Sequence, residues 1–207
     1  MLPSPGVERP ITFSTGGPDS ALARLGAALT DVSGMKGPPP VERWNPPFCG
    51  HIDMRIAGDG TWFYNGTPIG RPALVKLFAS ILRKDGDSHV LVTTVERVGI
   101  TVDDAPFVAV ELAVEGEGPA REIAFRTNVD DLVTVDAAHP LRFAKDATGG
   151  IKPYVLVRGG LWALVTRALT YDLLDLSEDR IVDGVMTCGV SARDCFFAIA
   201  PSAEKVA

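Results

Sequence analysis

Three arginines are the residues whose chemistry best suits the binding of a small molecule. Arg71 and Arg167 lie near the starts of two predicted helices, and Arg158 precedes a pair of glycines. Each guanidinium group offers a planar set of five donors that fits a carboxylate or a phosphate. If both halves of the molecule contribute arginines, positive charge is focused on the cleft between those halves.

The alternative role for these arginines is structural. The carboxylates of Asp53, Glu96 and Asp104 are candidate partners for Arg71 or Arg167. An internal ion pair of this kind would hold the two halves in register instead of binding a ligand.

Aromatic residues cluster in the same part of the chain, at Trp44 and at Trp62–Tyr64. Such side chains stack on ligands, pack against prolines or seal a core. Alternation along a strand favours Phe63 for the core and puts Trp62 and Tyr64 together on the opposite face. We predict a ligand-binding site between the halves, for a small anion or a peptide segment, made by six residues: Trp62, Tyr64, Arg71, Glu96, Arg158 and Arg167.

The sequence lacks the common motifs of catalytic sites. It contains no G-x-x-x-x-G-K-[ST] or G-x-G-x-x-G phosphate loop, no G-x-S-x-G nucleophile elbow and no H-E-x-x-H zinc motif. We therefore predict no catalytic residues and no cofactor. An enzyme whose site is assembled in space, in the same cleft, stays as an alternative function.

Metal binding has only weak support. Cys49-Gly-His51 offers two soft ligands, but closed zinc sites usually show two closely spaced pairs. The acidic pairs Asp103-Asp104 and Asp130-Asp131 offer oxygen ligands, yet such pairs are more typical of turns. The sequence therefore predicts no metal site.

The charge balance limits the choice of partners. Lys and Arg total 20 against 26 Asp and Glu, which gives a net charge of −6 and argues against a nucleic-acid partner. No apolar stretch approaches the roughly 18 residues that a membrane span needs, and the N-terminus does not resemble a secretory signal. Three cysteines give no disulfide framework. We expect a cytoplasmic protein whose partner is a small anionic ligand or another protein, with its oligomeric state open.

The chain divides into an arm and two predicted repeat domains. Residues 1–43 form a Pro/Gly-rich arm, residues 44–118 the first α+β domain and residues 119–207 the second. The arm contains one predicted helix, Asp19–Leu29, in which Leu22, Leu25 and Leu29 share a face. A third functional hypothesis is an interaction subunit that docks a partner through this arm.

Apolar periodicity predicts two main helices and many short strands. The spacing from Leu74 to Leu82 predicts a helix over residues 71–84, and an apolar run predicts another over residues 161–176. Alternating runs around them predict strands, and the short turns between runs, including Asp103–Pro106, predict antiparallel neighbours. The fold class is therefore α+β with antiparallel sheets.

An internal echo suggests a duplicated strand–helix–strand motif. The segment Gly99-Ile-Thr-Val-Asp-Asp-Ala-Pro-Phe-Val108 aligns without a gap to Gly189-Val-Ser-Ala-Arg-Asp-Cys-Phe-Phe-Ala198. Each copy follows a predicted helix. Two half-sheets built in this way can bury their open faces against one another.

Four motifs follow one another along the chain: Trp44-Asn-Pro-Pro-Phe-Cys-Gly50, Asp59-Gly-Thr-Trp-Phe-Tyr64, Val102-Asp-Asp-Ala-Pro-Phe107 and Tyr154-Val-Leu-Val-Arg158. In these motifs the chain resembles an uncharacterised bacterial family, the domain of unknown function 1285. The resemblance covers about residues 40–197. It implies an α+β fold with a repeated motif, a second half similar to pleckstrin-homology modules, and a role in signal transduction through binding between the halves. A binding or regulatory module is the function that we expect.

Overall fold

A computed structural model describes residues 37–201 of the chain. The predicted arm helix, Asp19–Leu29, lies outside these residues. Within them, sheet dominates and two helices of two turns or more are present. The α+β fold class with two main helices is confirmed. Neither helix of the described part has the length and apolar character needed to cross a membrane.

The first sheet contains six strands and is almost entirely antiparallel. The elements of this half are β1 (Phe48–Ile56), β2 (Trp62–Tyr64), β3 (Thr67–Pro68), α1 (Pro72–Ser80), β4 (Leu82–Asp85), β5 (Ser88–Val92) and β6 (Arg97–Val102). The strand order is β3-β2-β1-β6-β5-β4, in which β1 and β6 are parallel. Asn65 and Gly66 have positive φ angles in the β2–β3 turn, as the sequence predicts for that hairpin.

The second sheet also contains six strands, and a third sheet contains three. The elements are β7 (Phe107–Glu115), β8 (Glu122–Thr127), β9 (Leu132–Thr134), β10 (Leu141–Lys145), β11 (Ile151–Arg158), β12 (Leu161–Val165), α2 (Arg167–Leu174), β13 (Ser177–Val182), β14 (Val185–Ala192) and β15 (Cys195–Pro201). The second sheet has the order β10-β11-β12-β7-β8-β9, with β7 and β12 parallel. Strands β13 to β15 form the third sheet.

The order of elements shows the duplication. In each half, three sequential strands precede a helix and three sequential strands follow it: β1–β3, α1 and β4–β6 in the first, and β10–β12, α2 and β13–β15 in the second. Strands β7 to β9 lie between these two units. The alignment of residues 99–108 with residues 189–198 does not match this order. It places β6 on β14, whereas the third strand after the second helix, which corresponds to β6, is β15.

Both predicted helices are longer than the helices in the structure. α1 ends at Ser80, and Leu82 instead begins β4. Residues 161–165, predicted as the start of the second helix, form β12 beside β7. Short apolar runs fit a buried strand as well as a buried helix, so periodicity alone does not separate them.

The turn at Asp103–Pro106 does not join neighbouring strands, contrary to the prediction. It carries the chain from β6 in the first sheet to β7 in the second. Strand β7, which precedes the domain boundary predicted near residue 118, therefore hydrogen-bonds within the second sheet. The pleckstrin-homology likeness of the second half stays a prediction.

One hydrophobic core runs through both halves. It joins Met54, Trp62 and Phe78 of the first half to Phe107 and Ile123 of the second-sheet strands. Trp62 stacks on Phe78 with ring centroids 6.1 Å apart. The halves therefore share buried surface. We call the boundary along which they meet the seam.

Candidate functional site

A cavity of about 490 Å³ lies on the seam between the halves. We call it the seam cavity. Its walls come from the segment Pro38–Glu42, from Ser80 at the end of α1, from residues 131–133 and from residues 157–159 at the end of β11. Most of the lining is apolar, and Leu132 at its rim is 78% exposed.

The proline wall of the seam cavity is fixed by Arg83. This buried side chain donates to the carbonyl oxygens of Val41 at 2.8 Å and Trp44 at 2.7 Å. Its remaining donors bind both carboxylate oxygens of Asp85, which also accepts from Arg97 at 2.8 Å. The start of the described chain is thereby held against β4.

Arg158 lines the seam cavity, and two of its donors already have partners among residues 37–201. The guanidinium pairs with the carboxylate of Asp131 and donates to the carbonyl oxygen of Ala79 at 2.8 Å. It also lies 4.9 Å from the centre of the Phe107 ring. Since Ala79 belongs to α1, Arg158 links the second half to the first.

A larger cavity of about 760 Å³ lies wholly within the second half. We call it the second-half cavity. It is bounded by the β10–β11 turn at residues 146–150, the facing ends of β11 and β12, and α2. Leu164, Val165 and Leu174 supply an apolar wall, and Thr148, Lys152 and Arg167 supply polar groups.

The carboxylate of Asp146 is turned into its own loop. Its Oδ1 accepts from the backbone and hydroxyl of Thr148, both at 2.7 Å, and from the backbone of Gly150 at 2.8 Å. The Thr148 hydroxyl, followed by the Gly150 and Thr148 N–H groups, lowers the pKa of Asp146 below its ordinary value. Asp146 is therefore ionised near neutral pH and shapes the turn.

The two cations of the second-half cavity differ in their partners. Lys152 pairs with Asp104, which also accepts from the Tyr154 hydroxyl at 2.8 Å, and the hydrogen bond to Asp104 raises the pKa of Lys152. The Arg167 guanidinium lies 3.3 and 3.4 Å from the Tyr171 hydroxyl. Among residues 37–201, no carboxylate lies within ion-pair distance of Arg167.

The six residues predicted for the site do not share one cavity. Arg158 lines the seam cavity and Arg167 the second-half cavity, and the other four line neither of them. Arg71 is exposed at the start of α1. Glu96 is buried, and its backbone closes the β5–β6 turn against Thr93.

The predicted aromatic pair, Trp62 and Tyr64, faces the core instead of a ligand site. Trp62 is 1% exposed and belongs to the core, whereas Phe63, expected there, is half-buried beside Arg55. Tyr64 is half-buried and packs against the core. The predicted alternation is right but its two faces are exchanged, because a three-residue strand gives no independent sign of which side faces the core.

Sequence reasoning missed Leu132, Lys152 and Tyr171. The position of Tyr171, four residues after Arg167, was the one local signal, because residues four apart on a helix are neighbours. Cys49 and His51 are both exposed. No group of three or more His, Cys, Asp or Glu side chains suited to a metal ion occurs within residues 37–201.

Two family models together span nearly all of the described chain. One, described as Domain of unknown function (DUF1285), N-terminal domain, matches residues 39–105. The other, described as Protein of unknown function (DUF1285), C-terminal domain, matches residues 106–199. The chain belongs to the DUF1285 family. The models meet between β6 and β7, where the chain passes from the first sheet to the second.

Solved structures of the same family are similar to this chain. A DUF1285 family protein from Silicibacter pomeroyi DSS-3 is 50% identical, with a TM-score of 0.76 over 84% of this chain and 95% of that one. A DUF1285 family protein from Shewanella baltica OS155 is 30% identical, with a TM-score of 0.48 over 59% of this chain and 90% of that one. No curated protein matches the chain.

Proposed function

We propose that this DUF1285 protein is a regulatory binding module whose peptide site is the seam cavity. The observation that carries the proposal is an apolar cavity between the halves whose arginine, Arg158, is already paired with Asp131 and hydrogen-bonded to the Ala79 carbonyl oxygen. An anion would have to compete with Asp131 for that guanidinium. An apolar peptide segment would not, so it is the better occupant.

The rim of the seam cavity supports an apolar occupant. Leu132 is 78% exposed beside the buried Val133, and Pro38 and Pro40 expose their rings nearby. Covering a leucine side chain contributes about 1.5–3 kcal/mol when its burial is complete. A leucine-bearing segment would gain that contribution without breaking an existing ion pair.

The first candidate for the occupant is the arm of the same chain. The described residues begin beside the cavity, since Pro38 is part of its wall. The leucine stripe predicted at Leu22, Leu25 and Leu29 ends nine residues before Pro38, and an extended chain of that length spans at most about 30 Å. The stripe is therefore within reach of Leu132. A partner protein with a competing segment would displace the arm and release it.

A labelled peptide tests this proposal. The probe is a fluorescent peptide with the sequence of residues 17–33, and the receptor is the full chain carrying Leu25→Asp, which disables its own stripe. We expect the peptide to bind this variant more tightly than the parent chain, because the parent's arm competes. Adding Leu132→Asp should weaken binding at least tenfold, as measured by fluorescence anisotropy.

Two matched variants serve as controls. Ala27→Asp puts the same charge on the face opposite the predicted stripe and should leave the peptide affinity at the parent level. Ile181→Asp changes another exposed apolar residue, 64% exposed on β13, and should not weaken binding when added to Leu25→Asp. Equal binding with and without Leu132→Asp, or no binding to the Leu25→Asp chain, would overturn the proposal.

A further inference from the structure

Within residues 37–201, the second-half cavity combines a cation that has no carboxylate partner, Arg167, with apolar lining residues. Its volume of about 760 Å³ falls within the range of small-molecule sites, and it lies away from the seam. Its lining includes the apolar residues Ile151, Leu164, Val165 and Leu174 together with Arg167. A site of this composition suits a ligand with one polar end and an apolar body.

Arg167 is the group in this cavity that is ready to bind an anion. Lys152 is engaged with Asp104, and the Arg167 guanidinium contacts only a neutral hydroxyl, that of Tyr171, among residues 37–201. Hydrogen bonds of 3.3 and 3.4 Å are long, so a carboxylate would provide shorter and stronger ones. The Tyr171 hydroxyl and the Thr148 hydroxyl are further polar groups at the same cavity.

The charge of the ligand is limited by Asp146. This carboxylate is ionised, lines the same cavity and contributes to the electrostatic environment of Arg167. It repels a second negative charge near the guanidinium. A dianion such as a phosphate monoester doubles this repulsion as well as the attraction to Arg167, and its removal from water costs more. A singly charged carboxylate is therefore favoured here.

We infer that the second-half cavity is a binding site for a monocarboxylate with an apolar body, held by a forked contact to Arg167. The carboxylate accepts two parallel hydrogen bonds from the guanidinium, as planar groups of matching geometry do. The apolar body lies against Leu164, Val165 and Leu174. This site shares no lining residue with the seam cavity. The peptide proposal and the carboxylate proposal can therefore be tested separately.

Titration calorimetry with octanoate tests the site. The full chain should bind octanoate, and octanamide, which has the same body without the charge, should bind at least tenfold more weakly. Octyl phosphate is the dianionic probe and should also bind more weakly than octanoate. Octanoate binding should be unchanged in Leu132→Asp, which alters only the seam cavity.

The matched variants Arg167→Gln and Arg71→Gln test whether Arg167 is the arginine that binds the carboxylate of octanoate. Each residue lies at the start of its half's helix and is exposed, and Arg71 lines neither cavity. Arg167→Gln should weaken octanoate binding at least tenfold, whereas Arg71→Gln should leave it unchanged. Arg167→Lys keeps the charge without the fork and should give an intermediate affinity.

Several results would overturn the inference. They are the absence of octanoate binding to the parent chain, equal binding of octanoate and octanamide, tighter binding of octyl phosphate, and an Arg167→Gln chain that binds octanoate as the parent does. The melting temperature of each variant without ligand shows whether it is folded. If Arg167→Gln proves unfolded, the Arg167→Lys variant provides the test. Octanoate affinity at the parent level in Arg167→Lys would contradict the forked contact to the guanidinium.

Discussion

Arg158 and Arg167 have the same side chain but different electrostatic surroundings. Arg158 is neutralised by Asp131 and held by the Ala79 carbonyl, while Arg167 meets the Tyr171 hydroxyl. The sequence singles out both residues, since guanidinium groups near helix starts and glycines are visible in it. Their partners were not visible, because Asp131 reaches Arg158 only through the pairing of distant strands. Residue type predicted the chemistry, and contacts decided which arginine is available.

The first prediction concerns the structural role of Arg158. Arg158→Ala should lower the free energy of unfolding by about 1–2 kcal/mol, because it removes charged hydrogen bonds to Asp131 and Ala79 that are partly open to solvent. Urea denaturation followed by circular dichroism measures the change. Arg71→Ala is the control and should change stability by less than about 0.5 kcal/mol. Equal effects of the two substitutions would contradict the linking role.

Element boundaries show where sequence patterns stop being informative. Leu74, Leu77 and Phe78 correctly predict α1, but the pattern continues into Leu82, which is buried because it lies in β4. The run at residues 161–165 is apolar because β12 is an inner strand between β7 and β11. In both places the apolar residues of a buried strand extend the pattern that predicts a helix. The hairpin at Asn65-Gly66 was predictable because those residue types favour positive φ.

The second prediction concerns acid sensitivity where β4 and β6 contact the segment Val41–Trp44. The hydrogen bond from Arg83, followed by the charges of Arg83 and Arg97, lowers the pKa of Asp85. A lowered folded-state pKa means that the stabilisation is fully present above the ordinary carboxyl value of about 4 and is lost as pH falls below it. Asp85→Asn should therefore be less stable than the parent at pH 7, with a smaller difference at pH 3.

Denaturation at the two pH values gives the comparison directly. Asp87→Asn is the control, since Asp87 is an exposed carboxylate nearby in the β4–β5 turn. It should follow the parent at both pH values. A stability gap between Asp85→Asn and the parent that stays constant from pH 7 to pH 3 would contradict the assignment of the acid-sensitive contact to Asp85.

At the scale of the whole molecule, the two halves are joined by contacts that the duplication alone does not predict. Asn128 accepts from the Val108 N–H at 3.1 Å and donates to the Gly60 carbonyl at 3.4 Å. The β1–β2 loop, which contains Gly60, is thereby linked to β7 through Asn128, the residue that follows β8. A cleft between halves follows from the idea of two repeats, and the seam cavity lies there. The second-half cavity was not foreseen, because turn, strand ends and helix meet there only in the folded chain.

The third prediction tests the packing of that loop. Gly60 has a φ of +84°, and an added Cβ would lie 2.7 Å from the Asn128 amide nitrogen and 2.8 Å from a Val108 methyl group. Gly60→Ala should cost about 2–4 kcal/mol, combining the backbone strain with displaced neighbours. Gly66→Ala shares the strain, with a φ of +72°, but has open space around the position and should cost about 1–2 kcal/mol.

Chemical denaturation of the two glycine variants separates these contributions. The difference between Gly60→Ala and Gly66→Ala measures how tightly the halves are packed at this point. If the two variants lose equal stability, the loop accommodates the methyl group and the halves are less closely joined than their contacts indicate.

The pairing of β7 has a consequence for how the chain is made. Strand β7 bonds to β8 on one side and to β12 on the other. Ribosomes add about 5–20 residues per second. All six strands of the first sheet are made before β7. One edge of β7 lacks its partner until residues 161–165 are made, on the order of seconds later. Nascent chains thus carry an open strand edge during translation, and that interval is when chaperone capture or aggregation would compete with folding.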